Sequence, residues 1–462
     1  MTDTTRARAD AQAIFAAAVS RVDPAPMVER ALRVEAGPSG KVLVASNELE
    51  DVRYDLSCFD RIFATGMGKA SARMASGLEK ALGDRLTGGL VAVKEGHVEP
   101  LSRIKLLEAG HPLPDARSIA AATAMLSLGP SLGIELTSRD LVIVLVSGGG
   151  SSILCAPAQG LSLEDKIATT RLLLASGATI NEVNCVRKHL SAVKGGRLAA
   201  AMAPASVLTL VLSDVVGDEL DAIASGPTVP DPTSFADALA IAGRYGLLER
   251  LPPPVVTRLR VGAAGGRGAP SDTPKPGSPA FEHVRTLLVG TNRLALTAAE
   301  GEAKRRGYGT LVLSSRITGE SREVALVYLG IGKDIAASGF PLAAPACVIA
   351  GGETTVTLRG RGKGGRNQEM ALAFIAALGR SPEHGERIVF LSGGTDGNDG
   401  PTDAAGAIVD LSTFENARVA GIDPDTALAS NDSYSFFSSA GGLVKTGPTN
   451  TNVCDIQVLL VI

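Results

Sequence analysis

The stretch Leu141-Val142-Ile143-Val144-Leu145-Val146-Ser147-Gly148-Gly149-Gly150-Ser151-Ser152 decides the fold. Six consecutive apolar residues, most of them β-branched and with no polar alternation, predict a strand covered on both faces, as in a parallel sheet flanked by helices. The strand runs straight into three glycines and two serines, and residues 163–175 then predict a helix. Strand, glycine turn and helix make the repeating unit of an open α/β sheet. The unit recurs upstream, where Arg61-Ile62-Phe63-Ala64-Thr65 enters Gly66-Met67-Gly68-Lys69-Ala70-Ser71 and an Ala-rich helix. Residues 90–93 and 207–212 read as further strands, the second ending in Ser213-Asp214.

Outward from this core, residues 6–34 carry helical spacing interrupted by Pro24 and Pro26, which predicts an N-terminal helix or helix pair. Between residues 251 and 279 the texture changes to PPPVV, GAAGGRGAP and SDTPKPGSP, a proline and glycine density that predicts a linker or exposed loop, with room for a short helix over 252–262. Beyond it, strands are expected at 286–289, 310–313, 347–350, 354–358, 388–391 and 453–461, with helices at 292–306 and 367–378. The expectation is two α/β domains, 1–250 and 281–462, joined by a linker over 251–280, with a ligand cleft between them.

Composition excludes several classes. Among 462 residues, 45 Lys and Arg against 48 Asp and Glu give a formal charge of −3, which argues against a protein that works by gripping nucleic-acid phosphates. Aromatic residues make up 3% with no Trp, so stacking platforms for bases are scarce. Glycine, at 53 residues, is in excess and clusters behind the apolar runs. Five cysteines (Cys58, Cys155, Cys185, Cys347, Cys454), odd in number and never in a C-x-x-C pair, argue against a disulfide framework or structural zinc. With no signal-like start and no stretch of about 18 apolar residues, a soluble cytoplasmic protein is expected.

The glycine turns carry the candidate chemistry. Lys69, in G-M-G-K-A-S, stands where backbone N–H groups and a helix start favour an anion, although the spacing is not that of a P-loop; a solvated lysine in a tight turn is the alternative. Gly148, Gly149, Gly150, Ser151 and Ser152 suit a polyphosphate cradle, against the plainer reading of a flexible connection. No G-x-S-x-G occurs here, which disfavours a hydrolase elbow. Arg187, Lys188, Lys194 and Arg197 fall within eleven positions; a solvated helix face explains most such clusters, and Lys194 beside Gly195-Gly196 is the member chosen for an anion contact. Asp214, at the carboxyl end of a strand, suits Mg²⁺ or a hydroxyl proton, whereas Asp218 reads equally as a helix cap.

Arg366, closing the cationic run from Gly360 to Glu369 at a helix start, suits a carboxylate or a transferring phosphoryl group; a mobile basic loop is the alternative. The loop Ser392 to Gly400 fails as an EF-hand, but Thr395 or Asp396 could line the cleft. Gly360, Gly362 and Gly365 do spell G-x-G-x-x-G, yet the next strand ends in Leu391-Ser392 without a carboxylate for a ribose, so a dinucleotide site is weakly supported. His97, His111, His189, His283 and His384 form no H-x-x-x-H pair for a catalytic zinc.

Taken in order, A-T-G-M-G-K-A-S, H-P-x-P-D, V-S-G-G-G-S-S, N-x-V-R-K-H-L-S-x-x-K-G-G, S-D-V-x-G-D, G-G-E-T-T-V, G-x-G-G-R-N-Q-E and G-T-D-G-x-D-G-P-T-D resemble the glycerate 2-kinases of the MOFRL type, some members of which carry a hydroxypyruvate reductase label. The likeness runs from about residue 60 to 460. It implies a Rossmann-like α/β/α first domain, a smaller α/β second domain, and ATP- and Mg²⁺-dependent phosphorylation of the 2-hydroxyl of D-glycerate. It also implies that Lys69 and Arg366 are catalytic. On that basis Gly148–Gly150, Ser151, Ser152 and Lys194 hold the ATP phosphates, Asp214 serves Mg²⁺ or the attacking hydroxyl, and one of Lys69 and Arg366 meets the glycerate carboxylate. The partners implied are small molecules, with no nucleic acid or membrane, and a homodimer is left open. A nicotinamide-dependent reductase and a non-catalytic sugar-acid sensor are the rival readings.

Overall fold

The computed structural model describes residues 3–38 and 40–462, which divide into two compact units. One comprises residues 24–213 and 218–289; the other comprises 1–23, 214–217 and 290–462.

In the first unit, β1 (Leu32–Gly37), β2 (Gly40–Ser46) and β3 (Asp51–Asp55) form a small antiparallel sheet that the sequence reading did not anticipate. The main sheet contains β4 (Arg61–Met67), β5 (Leu86–Lys94), β6 (Ile104–Ala109), β7 (Asp140–Val146), β8 (Ser206–Leu212) and β9 (Val284–Gly290), in the order β6-β5-β4-β7-β8-β9. The five strands from β6 to β8 are mutually parallel. Counted along the chain this is the Rossmann order 3-2-1-4-5-6, with its topological switch point between β4 and β7. All seven residues of β7 are buried, as its unbroken apolar run requires, and each large side chain so placed contributes roughly 1.5–3 kcal/mol.

Residues 251–280 are not wholly irregular. Pro253–Ala264 is a helix, with proline at its first turn where no N–H is needed, and Val255, Val256 and Leu259 are buried against the unit's own core.

The second unit is built on a mixed sheet. Its strands β10 (Gly309–Ile317), β11 (Ala346–Gly352), β12 (Ile388–Gly394), β13 (Gly406–Val409), β14 (Leu443–Val444) and β15 (Asp455–Val461) lie in the order β10-β11-β15-β12-β13-β14, with only β10 and β11 parallel. The strand expected at 354–358 does not form; Thr355 makes one isolated bridge to Glu320, and Leu358 is exposed. The N-terminal helix Asp3–Arg21 packs with this unit. Asp10 bonds to Arg306 and Tyr308, and Phe15 lies against Gly393. Among the described residues no helix is long and apolar enough to cross a membrane.

Candidate active site

The switch point of the parallel sheet is where an open α/β fold receives ligands, because the loops after the two diverging strands leave a crevice there. Lys69 follows β4, and Gly148 follows β7. The two loops are tied together: the Lys69 N–H donates to the Gly148 carbonyl at 2.9 Å, the Ala70 N–H donates to the Ser147 hydroxyl at 3.1 Å, and the Ser71 and Ser147 hydroxyls bond at 3.1 Å. Gly149 adopts φ +78°, a left-handed conformation, and a Cβ there would stand 3.1 Å from the Lys69 stem. The loop is therefore not a flexible connection but a turn fixed by its glycine.

Ser151 carries the loop into a cavity of about 240 Å³. Lys166, Arg187 and Lys194, its cationic floor, line it together with the exposed Arg171 and the apolar Pro112–Pro114, Ile167 and Leu174. The Lys194 ammonium donates to the Ser151 hydroxyl and carbonyl, each at 2.7 Å, and Arg187 donates to the same hydroxyl at 2.9 Å. Lys166 donates to the Ala156 carbonyl at 3.3 Å. Lys166 and Lys194 are buried and Arg187 is partly so. Burial pushes the Lys166 ammonium down to about 8, carries Lys194 well below its ordinary value, and lowers Arg187. Among the described residues none of the three has a carboxylate partner. Lys188 makes the contrast: equally buried, it is paired with Asp221 at 2.9 Å and Asp231 at 3.3 Å. Buried charge without a counter-ion is costly, so a floor of unpaired cations is built for an anion that arrives from outside.

This corrects the solvated-face reading of the Arg187–Arg197 cluster. Arg187 and Lys188 turn inward on the cationic end of the helix Ile180–His189, and Lys194, beyond that helix, is buried as well. Lys166 was missed altogether: one lysine in the amphipathic pattern of Leu163–Ala175 carries no sign that its side chain is buried.

The second unit gathers its motifs where β11 and β12 end and β15 begins, since Gly352, Asp455 and Gly394 stand in register across the sheet. Arg366, first residue of the helix Arg366–Arg380, donates through Nε and one terminal nitrogen to both oxygens of Asp455 at 2.6 and 2.9 Å, and through the other to Glu353 at 2.7 Å. These bonds use three of its five N–H donors and leave two for a ligand. Asp455 is fully buried, which raises its carboxyl to about 6 despite the guanidinium. Asp399 receives the N–H groups of Asn367 and Gln368, and so fixes the start of that helix.

The run from Gly360 is not a mobile loop: a Cβ on Gly365 would collide with the Asp399 carboxyl, and Gly360 and Gly362 are pressed against Ser430 and Asp432. Glycines occupied by protein leave no cradle for a dinucleotide pyrophosphate. Thr395 is a structural residue, its buried hydroxyl donating to Cys454 and accepting from Val453. Asp214 lies in this unit with its carbonyl 3.3 Å from the Cys454 sulfur, in a patch shared with Glu353 and Asp455 that raises the Cys454 thiol, burial being the larger cause. Among the described residues no three His, Cys, Asp or Glu side chains are grouped to hold a metal.

Comparison with known proteins places these motifs. Residues 10–260 match the family described as "Domain of unknown function (DUF4147)", and residues 346–455 match the MOFRL family. A glycerate 2-kinase of Pyrococcus horikoshii is 40% identical over 445 residues, covering 96% of this chain and 95% of that one. The chain belongs to the MOFRL-type glycerate 2-kinase family. A protein of Agrobacterium vitis named "Putative hydroxypyruvate reductase" is 43% identical over 97% of this chain and 93% of its own length. The crystal structure of a glycerate kinase from Thermotoga maritima aligns over 99% of this chain and all of that one, at TM-score 0.85 and 37% identity. Each glycine turn discussed above, and Asp214, falls inside one of the two family matches, and residues 261–345 belong to neither.

Proposed function

We propose that the protein transfers the γ-phosphoryl group of ATP to the 2-hydroxyl of D-glycerate, giving 2-phosphoglycerate and ADP. The observation that carries this reading is the cavity floor of Lys166, Arg187 and Lys194, three cations without carboxylate partners beside the switch-point glycine loop. Such a floor fits the charge of a triphosphate, and the apolar wall of Pro112–Pro114, Ile167 and Leu174 suits the rest of a nucleotide. Gly148, Gly149, Gly150, Ser151, Ser152 and Lys194 are assigned to its phosphates, joined by Lys166 and Arg187.

Phosphoryl transfer asks the protein mainly for positioning and charge stabilisation. Lys69, at the switch point with its ammonium unpaired among the described residues, is assigned to the transferring group or to the glycerate carboxylate. Arg366, with two N–H donors to spare, is assigned to the other. Mg²⁺ fits a site of this kind because it needs only one or two carboxylates in addition to phosphate oxygens, and Asp214 is the carboxylate assigned to it. Bound there, it would neutralise phosphate charge.

Phosphorus NMR of the protein with ATP, Mg²⁺ and D-glycerate tests the reading. A 2-phosphoglycerate signal with stoichiometric ADP is the expected result, and 3-phosphoglycerate would overturn the regiochemistry. Intact ATP with NADH consumed against hydroxypyruvate would favour the reductase. Lys69→Ala or Arg366→Ala retaining wild-type kcat/KM would remove that residue from the assignment.

A further inference from the structure

The H-P-x-P-D motif has so far only supplied a cavity wall. Residues 110–115 form a loop closed on itself: Asp115 accepts from the Gly110 N–H at 3.3 Å and caps the helix Ala116–Leu126 through the Ser118 N–H at 3.0 Å. Pro112, Leu113 and Pro114 face the cavity, and His111, at the head of the loop, turns to the glycine loop. Its Nε2 lies 3.0 Å, and the Lys69 Cγ 3.1 Å, from the point a Cβ on Gly149 would occupy. The missing side chain of Gly149 is thus what lets imidazole and lysine meet at the switch point.

The His111 ring makes no hydrogen bond to protein among the described residues. Burial, and after it Lys69, Lys94 and His97, the charged and titratable groups acting on it and all basic, push its pKa down to about 4. His97 is itself lowered by burial and by Lys94, and its ring bonds to the Lys69 backbone. The imidazole is therefore neutral near neutral pH, with a free lone pair, inside a basic patch that attracts an acid's carboxylate and a phosphoryl group.

We infer that His111 accepts the proton of the hydroxy acid's hydroxyl as that oxygen attacks the γ-phosphorus. The O–H bond breaks as an N–H bond forms on the ring. The new O–P bond forms as the bond to the β-phosphate oxygen breaks, its electron pair leaving with ADP. The imidazolium returns its proton to solvent after the product departs. This assignment rests on the kinase reading.

The test is the pH dependence of kcat/KM for wild type, H111N, H111Q and K94M, with the melting temperature and the affinity for a non-hydrolysable ATP analogue measured for each. Wild type should lose activity on the acid side as His111 protonates. H111N should lose that limb and about 100-fold or more in kcat, with analogue affinity within about threefold of wild type. K94M, lacking one like charge beside the ring, should move the limb to higher pH. H111N that keeps the limb, H111N and H111Q that keep kcat within about tenfold, or a limb unmoved in K94M overturns the proposal. A poorly folded H111N leaves the decision to H111Q and to the K94M limb. Wild type that forms no phosphorylated acid overturns the kinase reading itself, and this assignment with it.

Discussion

Nucleotide binding to this protein should take up protons at pH 8. The cavity floor holds Lys166, lowered by burial to about 8, and Lys194, lowered further by burial and by Arg187 and Lys166. A triphosphate laid against them favours the ammonium forms. At pH 8 a lysine with a pKa of about 8 is neutral in about half the molecules, so Lys166 takes up about half a proton, and the lowering of Lys194 acts in the same direction. The nucleotide itself contributes little, because a terminal phosphate with a second pKa near ~6 is already ionised at that pH. Calorimetry with a non-hydrolysable ATP analogue and Mg²⁺, in two buffers of different ionisation enthalpy, reads the number directly.

K166M should remove about half a proton from that uptake and weaken binding roughly 10- to 150-fold, the value of one charge-assisted hydrogen bond of about 1.5–3 kcal/mol. At pH 6.5 Lys166 is already charged and its share should vanish. The same depression sets the pH dependence of the ligand-free fold. Between the folded value and the unfolded value of 10.5 the unfolded chain binds more protons, so stability rises with pH across that window. K166M should therefore be more stable than wild type near neutrality, and the gap should close by about pH 10.5. A binding enthalpy independent of buffer at pH 8, or net proton release, would refute the assignment of this floor to the phosphates.

Three further outcomes are expected. Arg366→Met strands the buried Asp455 and should cost about 3–5 kcal/mol in urea denaturation. Because the Asp455 pKa is raised from 3.8 to about 6, the folded state binds the extra proton between those values and stability falls as pH rises through them. The deficit of Arg366→Met should thus be larger at pH 8 than at pH 5, and R366M/D455N should recover part of it. Ser151→Ala removes the hydroxyl that accepts from Arg187 and Lys194 and should cost about 1–3 kcal/mol, read as a lower Tm that ATP restores only partly. Gly149→Ala, at φ +78° with the new methyl against His111 and Lys69, should cost about 1–2 kcal/mol and lower kcat/KM at least about tenfold with the secondary structure intact.

Much of the fold is legible in one dimension because burial on both faces leaves a local signature. The apolar runs at 141–146 and 207–212 contain their own explanation, and the glycine turns after β4 and β7 mark where the chain leaves the sheet. Lys69 and Arg366 are equally legible, since each stands between a glycine turn and a helix start. Residues 354–358 misled because alternating Thr, Val and Leu satisfies a strand pattern whether or not a neighbouring strand exists to pair with it. The small sheet of β1 to β3 escaped because β1 and β3 are half exposed and carry charged residues, so the short buried run Val42–Ala45 of β2 has no apolar partner run to announce a sheet.

By itself, then, the sequence determined that β4, β5, β7 and β8 form strands of a parallel sheet, though not that β6 joins them. It also determined where the backbone turns tightly and which cations stand at helix starts, for these follow from local sterics and from the period of apolar side chains. Tertiary structure alone decided which charges lie buried and what they face. Lys166, Arg187 and Lys194 come from three separate segments, and nothing local distinguishes them from Lys188, whose charge is cancelled by Asp221 and Asp231. The difference is one of neighbours across the fold. The cost of an unpaired buried charge depends on the dielectric and the counter-ions around it, and both are set only once distant segments have packed.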